Sequence, residues 1–474
     1  MGVTRKEAIR LLGGAGVGLA AGGLATGQPA TAAPSADAGP TEAAGRVIRR
    51  DVCVLGGGSS GTYTAIRLRD LGLSVAVVER ANRLGGHTET YHDPVTGGTI
   101  DIGVIVWHDI PLVRDYFARF GVPLTRFGGF RGQSAYLDLR TGRPVEGYTP
   151  PVPTALGTYA GLLQQYPYLL NGIDLPDPVP TDLLLPFGEF VTKHGLESIV
   201  PLVFQFGQGL GDMLRLPTLY VLLNFNLDVV NGIATGAFVS TSNRNNSELY
   251  EKATAFLGAD ALLGSQAVAV QRGPAGVHVR VTTPTGVQII HADKLVVTFP
   301  PLLSAFTGFD LDNAERALFA QFRAKAYWTA VARLHGLPDG VDIANTGADT
   351  PYHLPALPGI YGVSPTGVPD LYNVKYGSDQ QLTAAHVRAD ITAELRRVAT
   401  AGTFPLELER LEVLKSHSPF ELNVSDAAIA GGFYRRLYGL QGRNRTYYNG
   451  GSFFTHDSTA LWKFTERLLP SIAG

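Results

Sequence analysis

The chain has 474 residues, and its 39 lysines and arginines against 41 acidic residues give a formal net charge of −2. This balance does not favour nucleic acid or an anionic surface as a partner. The single cysteine, Cys53, excludes a disulfide framework and is expected to be a small core residue, and no spacing of cysteine and histidine suggests a metal site. The length allows about two or three domains.

Residues 1–32 are predicted to be a signal peptide. Thr4 to Arg10 form a basic segment that resembles a twin-arginine signal, with lysine in place of the second arginine. Leu11 to Leu24 are apolar but glycine-rich, too short and too weak to span a membrane stably. Ala30 to Ala32 offer a small-residue cleavage site, and residues 33–48 are predicted to be a linker. We therefore expect an exported protein, secreted or in the cell envelope; an uncleaved, flexible N-terminus is the alternative.

The first predicted strand leads directly into a glycine-rich turn. The apolar run Val52 to Leu55 predicts a buried parallel strand, and Gly56, Gly58 and Gly61 follow it as G-x-G-x-x-G before a helical stretch. In a dinucleotide-binding fold these glycines permit a tight turn, a close approach to a pyrophosphate and close packing of helix on strand. The phosphates would lie at the helix N-terminus, where free N–H groups attract an anion.

Three more residues extend this predicted site. Ser59 and Ser60 lie within the motif, and the next strand, Ser74 to Val78, ends at Glu79. An acid about 20 residues after the first glycines holds a ribose hydroxyl in such folds. The alternative for Glu79 is a solvated strand end. The context nevertheless predicts a dinucleotide site.

The segment after Glu79 carries a resemblance to a known family. Arg83-Leu84-Gly85-Gly86 gives R-x-G-G, and Asp101-Ile102-Gly103 gives a later D-x-G. Together with the preceding motifs they resemble the flavin-dependent amine oxidase superfamily, in which the cofactor is FAD. The resemblance implies an arginine near the diphosphate and a backbone free of side chains beside the flavin. It places these residues at the cofactor: Arg80, Arg83, Gly85, Gly86, His87, which replaces the family's second arginine, and Ala267, whose backbone would bond the adenine edge.

Three residues are candidates for catalysis. By resemblance, residues 103–109 run beside the flavin, and His108 is a candidate acid or base because its ordinary pKa lies near neutrality. A solvated or core-capping histidine is the alternative for His108, and plain core is the alternative for Trp107. His456, near the C-terminus, is the third candidate.

Residues 131–235 have a different pattern. A cluster of prolines at Tyr148 to Pro153 is followed by helical apolar spacing at Thr158 to Leu170 and at Leu184 to Lys193. Pro201 to Leu227 is rich in Phe, Leu, Tyr and Gly. We interpret this region as a helical cap with an apolar interior that forms a pocket for a hydrophobic substrate; ordinary helical core is the alternative.

The later strands complete the predicted architecture: an α/β protein with a Rossmann-like FAD-binding domain, made of a parallel sheet plus a β-meander, and an inserted substrate domain of mixed sheet and helical cap. The FAD-binding domain is assigned to residues 49–130, 236–310 and 425–474, and the substrate domain to residues 131–235 and 311–424. The predicted strands are Ala267–Val270, Val277–Thr282, Val287–His291 and Lys294–Val297 in the meander, and Tyr327–Ala332 and Leu371–Tyr376 in the substrate domain.

The C-terminal segment, Asn444 to Gly451, resembles the family's closing strand, which usually ends in A-G-[DE]. By that resemblance Gly450 and Gly451 pass the cofactor with their backbone, and Ser452 compensates for the missing acid. Asp457 and Ser458 are predicted to begin a helix that points at flavin N1 and O2, where negative charge collects on reduction. A cap that merely ends a loop is the alternative.

Within the superfamily, the sequence from Asp51 onward is similar to β-cyclopiazonate dehydrogenase-like and polyunsaturated fatty acid isomerase-like flavoproteins, through Leu185 to Phe190 and Tyr438 to Arg443. The resemblance implies an FAD-dependent dehydrogenase or oxidase that transfers a hydride from an apolar small molecule to flavin N5, with molecular oxygen a candidate acceptor. The alternative is a redox-neutral, FAD-dependent double-bond isomerase of a fatty acid-like substrate. A flavin-bound protein without turnover and a nicotinamide dehydrogenase are weaker alternatives.

Overall fold

The fold is organised around a parallel sheet that begins with the first strand the structure describes. The computed structural model describes residues 46–128 and 133–474. The predicted signal peptide and most of the predicted linker lie outside the described residues, as does the predicted boundary at residues 130 and 131. The described residues belong to one compact unit, and the predicted domain boundaries stay a prediction.

The strands, in chain order, are β1 (Arg46–Leu55), β2 (Val75–Val78), β3 (Thr90–His92), β4 (Thr99–Asp101), β5 (Trp107–His108), β6 (Leu124–Arg126), β7 (Gln133–Asp138), β8 (Arg143–Pro144), β9 (Phe238–Thr241), β10 (Ala261–Leu262), β11 (Gln266–Gly273), β12 (Gly276–Thr283), β13 (Gly286–Val297), β14 (Arg323–His335), β15 (Val341–Asn345), β16 (Gly359–Pro365), β17 (Leu371–Ser378), β18 (Glu407–Ser416), β19 (Phe420–Asn423) and β20 (Thr446–Tyr448).

The α-helices are α1 (Ser59–Asp70), α2 (Pro111–Arg119), α3 (Leu156–Leu163), α4 (Thr181–Leu184), α5 (Phe187–His194), α6 (Val200–Phe206), α7 (Thr218–Asn224), α8 (Leu227–Thr235), α9 (Glu248–Leu257), α10 (Asn313–Phe319), α11 (Ala384–Thr400), α12 (Asp426–Ala430), α13 (Phe433–Tyr438) and α14 (Ser458–Ala473). Among the described residues, no helix is both long enough and apolar enough to cross a bilayer.

The first sheet has the strand order β10-β2-β1-β13-β12-β11, with β20 also paired to β13. β1 lies between β2 and β13 and is parallel to both. Its residues Val52 to Leu55 are buried on both faces, which explains their unbroken apolar run. β11, β12 and β13 form the antiparallel meander. The predicted combination of parallel sheet and meander is confirmed.

The carboxyl ends of four parallel strands lie side by side in this sheet. Leu55 of β1 is in register with Val78 of β2 and with Val297 of β13. Val297 is in turn in register with Tyr448 of β20. Ligands of open α/β sheets bind outside the carboxyl ends of the strands. The glycine turn after β1 and the segment after β20 therefore meet at one sheet edge.

The predicted pair of strands at residues 287–291 and 294–297 is wrong, because β13 is one continuous strand. β1 pairs with it from Gln288 to Val297 and so keeps it extended throughout. On its other side the partner changes, from β12 along residues 286–292 to β20 along residues 295–297. The change of partner, rather than a break in the strand, coincides with the polar residue Asp293.

The second sheet is mixed and has the order β18-β14-β17-β16-β15-β7-β8, with β19 also paired to β14. One of its faces packs against α11 through an apolar cluster that includes Ile391 and Leu395. On the other face, Val331 and Leu371 pack against Ile100 and Ile102, in and just after β4. This second face therefore lies next to the D-x-G segment, Asp101 to Gly103.

Helices α3 to α8 form the predicted cap, and its interior is apolar and part of the main core. Two predicted helices are shorter than expected. Pro186 separates α4 from α5 because the residue before it, Leu185, is extended, with φ −60° and ψ 145°. In the same way α3 ends at Leu163, and Pro167 begins a separate short 3-10 helix.

The packing of α1 on β1 depends on the absence of a side chain at Gly61. A Cβ atom there would lie 2.0 Å from the carbonyl oxygen of Gly56. We expect Gly61→Ala to destabilise the protein by about 1–3 kcal/mol because the backbone of the turn must shift. The midpoint of thermal unfolding measures this loss. In the control, Gly157→Ala, no atom lies within 4 Å of the new Cβ, and we expect no loss. Equal midpoints for both variants would contradict the packing argument.

Candidate active site

The turn after β1 and the acid after β2 are joined by a hydrogen bond. Gly56 has φ +101°, a conformation that favours glycine. The N–H of Gly57 donates to Oε2 of Glu79 at 2.6 Å, and the N–H of Ala81 donates to its Oε1 at 2.7 Å. These bonds fix the carboxylate beside the turn, so the half-buried Glu79 is not a freely solvated strand end.

The N-terminus of α1 presents N–H groups that no side chain caps. Gly58 is the N-cap, and the first turn contains no acidic residue. The hydroxyl of Ser59 accepts a hydrogen bond from Nε1 of Trp462 at 3.1 Å, and Ser60 is buried behind it. Free N–H groups and the helix dipole together make a site for an anion such as a diphosphate.

The turn at Gly85 and Gly86 touches the first glycine turn. A Cβ atom at Gly86 would lie 2.9 Å from Cα of Gly58, and one at Gly85 would lie 2.9 Å from the carbonyl oxygen of Thr88. At Gly103 it would lie 1.6 Å from the carbonyl oxygen of His87. The backbones of the three predicted cofactor motifs therefore pack closely, and no side chain from these glycines stands between the motifs and a bound ring. This cradle fits the predicted FAD.

The predicted place of Arg83 near the diphosphate stays a prediction, and the contacts that the structure shows for it are within the protein. Its guanidinium donates to the carbonyl oxygens of Thr88 at 3.0 Å and Gly86 at 2.8 Å, and it forms an ion pair with Glu89 at 2.7 Å. The arginine thus holds the shape of the glycine turn, and no contact that would aim it at a diphosphate is seen. Arg80 is exposed.

Ala267 lies in β11, at a bulge between residues 267 and 269. The nearby N–H of Ser265 donates to the carbonyl oxygen of Glu79 at 2.8 Å. Since Glu79 is the predicted ribose ligand, Ala267 is at the end of the site where the prediction places the adenine.

The segment after β20 reaches the start of α1. Gly450 has φ +108°, and a Cβ atom there would lie 3.8 Å from the hydroxyl of Ser60. At Gly451 it would lie 2.7 Å from Nε2 of His456. Ser452 is buried, with 6% of its surface exposed. Its hydroxyl makes no hydrogen bond to another described residue, and the predicted compensation for the missing acid stays a prediction.

Asp457 links the N-terminus of α14 to His108. Its Oδ1 accepts from the N–H of Ala460 at 2.9 Å, and its Oδ2 lies 2.8 Å from Nε2 of His108. Burial opposes the charge of both groups, but their attraction and hydrogen bond outweigh it. The pKa of His108 is therefore raised and that of Asp457 is lowered. Ser458, the first residue of α14, is buried.

His108 is therefore paired, and Trp107 is part of the core. Trp107 is 1% exposed, and its ring packs on Phe117 at 4.8 Å and Trp462 at 6.4 Å between centroids. This placement does not support the prediction that Trp107 is catalytic. His108 is better described as a positioning residue, because its Nε2 is bonded to the helix cap.

Aromatic side chains from the second sheet form a wall beside the glycine turn. This aromatic wall consists of His87, His417, Tyr327, Phe420 and His456. His87 stacks on His417 at 4.4 Å, and His417 lies 5.5 Å from Tyr327. Phe420 lies 4.2 Å from His456. Sequence reasoning found only the two histidines near motifs, because strand pairing in the second sheet places the other three.

The histidines of the aromatic wall are neutral at pH 7. Burial lowers the pKa of His87 to about 4 and that of His456 to about 3, and neighbouring positive groups contribute to both shifts. His87 is nevertheless exposed at its surface, although many protein atoms surround its ring. Nε2 of His456 accepts from the N–H of Glu421 at 3.2 Å, so the ring proton is on Nδ1.

Glu421 is a buried acid that sequence reasoning missed. Its side chain is 6% exposed, its Oε2 has no hydrogen-bond partner, and Oε2 lies 3.9 Å from Nε2 of His456. Its φ of +43° is strained for a residue with a side chain. Burial raises the pKa of this carboxyl to about 8. Glu421 is therefore a protonated carboxylic acid at neutral pH, next to the aromatic wall.

Two surface cavities lie away from these residues. One, of about 400 Å³, includes Arg143, Arg396 and Arg397, and the other, of about 300 Å³, includes Tyr148 and His353. Neither is lined by a predicted site residue, and we assign them no part in the site.

We expect Glu421→Gln to remove a pH dependence of stability. The wild-type carboxyl keeps its proton up to about pH 8 when folded, but its ordinary pKa is 4.5. Between these values the folded state binds more protons, so the free energy of unfolding of the wild type falls as pH rises, by up to about 1.4 kcal/mol per pH unit. Measured at pH 5, 6, 7 and 8, the free energy of unfolding of the variant should rise relative to that of the wild type as the pH increases. The exposed Glu407→Gln is the control, and parallel pH curves for all three proteins would refute the assignment.

The class of the protein follows from this geometry. One edge of the parallel sheet carries the glycine turn, the strand-end acid bonded to it, and the N-terminus of a second helix. This arrangement defines a dinucleotide-binding α/β enzyme. Residues 54–120 match the family model of the NAD(P)-binding Rossmann-like domain.

Known proteins resemble nearly the whole described chain. The FAD-dependent oxidoreductase oblC of Cochliobolus heterostrophus is 37% identical over 443 residues, which cover 90% of this chain and 92% of the relative. The β-cyclopiazonate dehydrogenase of Aspergillus oryzae is 36% identical over 432 residues, covering 90% and 94%. Among solved structures, the CLA-producing fatty acid isomerase from P. acnes aligns with a TM-score of 0.72 at 20% identity, covering 89% and 98%. Putrescine oxidase aligns with a TM-score of 0.61 at 19% identity, and the alignment covers 90% of this chain and 99% of the oxidase.

The chain belongs to the FAD-dependent oxidoreductases, and it shares its fold with the fatty acid isomerase and putrescine oxidase. Its cofactor is FAD, and the predicted fold class and enzyme class are confirmed.

Proposed function

We propose that this enzyme oxidises an apolar small molecule by transfer of a hydride to FAD. When bound, FAD supplies the two-electron acceptor at its N5 atom, and the protein supplies binding, orientation and electrostatics. The observation that carries the proposal is the alignment of β1, β13 and β20, which brings the glycine turn and α14 to one edge beside the aromatic wall.

Each part of the edge has a proposed role in holding the cofactor. We assign the ribose to Glu79 and the diphosphate to the free N–H groups at the start of α1, namely Ser59, Ser60 and Gly61. The ring is assigned to the backbone of Gly85, Gly86 and Gly103, where a Cβ would meet other backbone atoms. The side chain of His87 borders this space.

The N-terminus of α14 is proposed to stabilise negative charge. Its dipole is directed at the edge of the sheet, and the cap, Asp457, is neutralised by its pairing with His108. Without that partner, the carboxylate would cancel the positive potential of the helix N-terminus. We therefore propose that His108 keeps the helix end electropositive, rather than exchanging a proton with the substrate.

The proposed substrate is apolar because the interior of the cap is apolar and the aromatic wall is uncharged. The interior of the helical cap is part of the main core, and the histidines of the aromatic wall are neutral at pH 7. A neutral aromatic wall contacts an apolar substrate without leaving charges unpaired. Glu421, which is protonated at pH 7, is a nearby proton source.

A second candidate function is a redox-neutral shift of a double bond. The similarity of fold to the fatty acid isomerase, with a TM-score of 0.72, supports this second candidate. Anaerobic mixing with a converted substrate separates the two: lasting loss of the oxidised flavin absorbance supports oxidation, and full conversion with the absorbance retained supports isomerisation. The same assay opened to air tests molecular oxygen as the acceptor.

We expect Glu79→Ala to weaken FAD binding by about ten- to a hundredfold, because a carboxylate hydrogen bond to a ribose is lost. The absorbance spectrum of the purified protein, with its flavin released by acid and re-titrated, measures this affinity. Glu146→Ala, at an exposed glutamate of a loop, is the matched control. A wild-type protein without oxidised flavin bands would refute the proposed function, and unchanged affinity in the Glu79 variant would refute the assigned ribose site.

We also propose that the enzyme is exported through its predicted twin-arginine-like signal. The support is the basic segment around Arg5, followed by the apolar, glycine-rich run and the small residues at Ala30 to Ala32. Expression of the full chain should place FAD-containing protein outside the cytoplasm, and replacement of both Arg5 and Lys6 by glutamine should retain it inside. Equal distribution of the two proteins would contradict export by this signal.

A further inference from the structure

A row of three polar side chains crosses the second sheet. Thr329 of β14 is directly opposite Lys375 of β17 on one side and Lys415 of β18 on the other. Directly opposite residues of antiparallel strands point to the same face, with their Cβ atoms about 4.5–5.5 Å apart. The row therefore places two lysines on either side of one threonine hydroxyl.

This row faces the candidate active site. Along β14, Tyr327 and Val331 share the face of Thr329 because they are two residues away. Tyr327 belongs to the aromatic wall, where it contacts His417 at 5.5 Å. Val331 packs against Ile102, next to Gly103. The opposite face of the sheet is covered by α11, so the row is directed toward the candidate active site and away from the packed helix.

The two lysines differ in their partners. The ammonium of Lys415 forms an ion pair with Glu89 at 2.9 Å. The ammonium of Lys375 makes no ion pair or hydrogen bond with any other described residue, although the residue is only partly exposed. The hydroxyl of Thr329, a residue that is 4% exposed, also has no partner. Buried polar groups are normally satisfied, so the unpaired hydroxyl of Thr329, beside a half-buried ammonium without a protein partner, indicates a missing ligand.

The charge around Lys375 is not balanced by the protein. Burial lowers the pKa of Lys375 to about 8, which leaves the ammonium mostly charged at pH 7. The buried acid nearest the aromatic wall, Glu421, is protonated, and the wall's histidines are neutral. An unpaired positive charge in such a place attracts an anion and repels a protonated amine.

We infer that Lys375 and Thr329 form a binding site for the carboxylate of the substrate, which makes the substrate class apolar carboxylic acids. The ammonium and the hydroxyl each supply a donor, and a carboxylate supplies two acceptor oxygens. The apolar remainder of the molecule extends along the aromatic wall. This inference rests on the proposed function and adds an anionic end to the apolar substrate. It also predicts poor binding of amines, despite the fold that the chain shares with amine oxidases.

The test compares octanoate with 1-octanol as probes of the purified, FAD-containing enzyme. Binding is measured at pH 7 by the change in the visible flavin spectrum and by calorimetry. We expect octanoate to bind at least about tenfold more tightly than 1-octanol, because its carboxylate forms a charge-assisted hydrogen bond that the alcohol lacks. Lys375→Met should abolish this preference by weakening octanoate alone, and Thr329→Val should weaken octanoate several-fold.

The matched control is Lys415→Met, which removes a lysine from the same row. Glu89 keeps Arg83 as its partner in that variant, at 2.7 Å, so the turn should stay intact. We expect the Lys415 variant to bind both probes as the wild type does. Equal affinity of the wild type for the two probes, or unchanged octanoate affinity in Lys375→Met, overturns the inference. The flavin spectrum of each variant is read first, so loss of FAD is separable from loss of the carboxylate site.

Discussion

Parallel pairing along β13 is the constraint on which the site depends. The strand pairs with β1 on one side and, in its last three residues, with β20 on the other. Because both pairings are parallel and in register, Leu55 and Tyr448 end at the same sheet edge, although they are far apart in sequence. The N-termini of α1 and α14 follow from these two ends. The hydrogen bond from Trp462 to Ser59 and the ion pair from Glu466 to Arg67 then hold the two helices together.

The two helix ends give this edge its electrostatic character. α1 begins without a side-chain cap or an early acid, and its N–H groups remain open to a diphosphate. α14 begins with an acid, Asp457, and in the proposed function its pairing with His108 keeps this helix end electropositive. Both ends therefore remain attractive to negative charge by different means. The histidines facing them are neutral because burial and neighbouring positive charge disfavour protonation.

Local motifs predicted one part of the site and strand register determined the rest. The roles of Gly56 and Gly61 follow from a short pattern, because the tight turn and the helix contact are made within a few residues. Glu79 is also predictable, since a single crossover separates it from the turn. No local motif marks His417, Glu421 or Lys375 as site residues, because strand pairing in the second sheet brings them to the candidate active site. Trp107 is adjacent to a predicted motif, yet its apolar neighbours place it in the core.

Buried polar atoms without a partner occur both in the core and beside the candidate site. Trp107 and Trp328 each bury an indole N–H without a partner among large apolar surfaces, where the hydrophobic contribution of the ring offsets a cost of about 1–3 kcal/mol. Thr329 and Glu421 have no comparable compensation, because a hydroxyl and a carboxyl bury little apolar area. Both are next to the aromatic wall, and both would be satisfied by a polar group of a bound molecule. With the inferred carboxylate bound at Lys375, the hydroxyl of Thr329 would gain the partner that the side chains of the described residues do not supply.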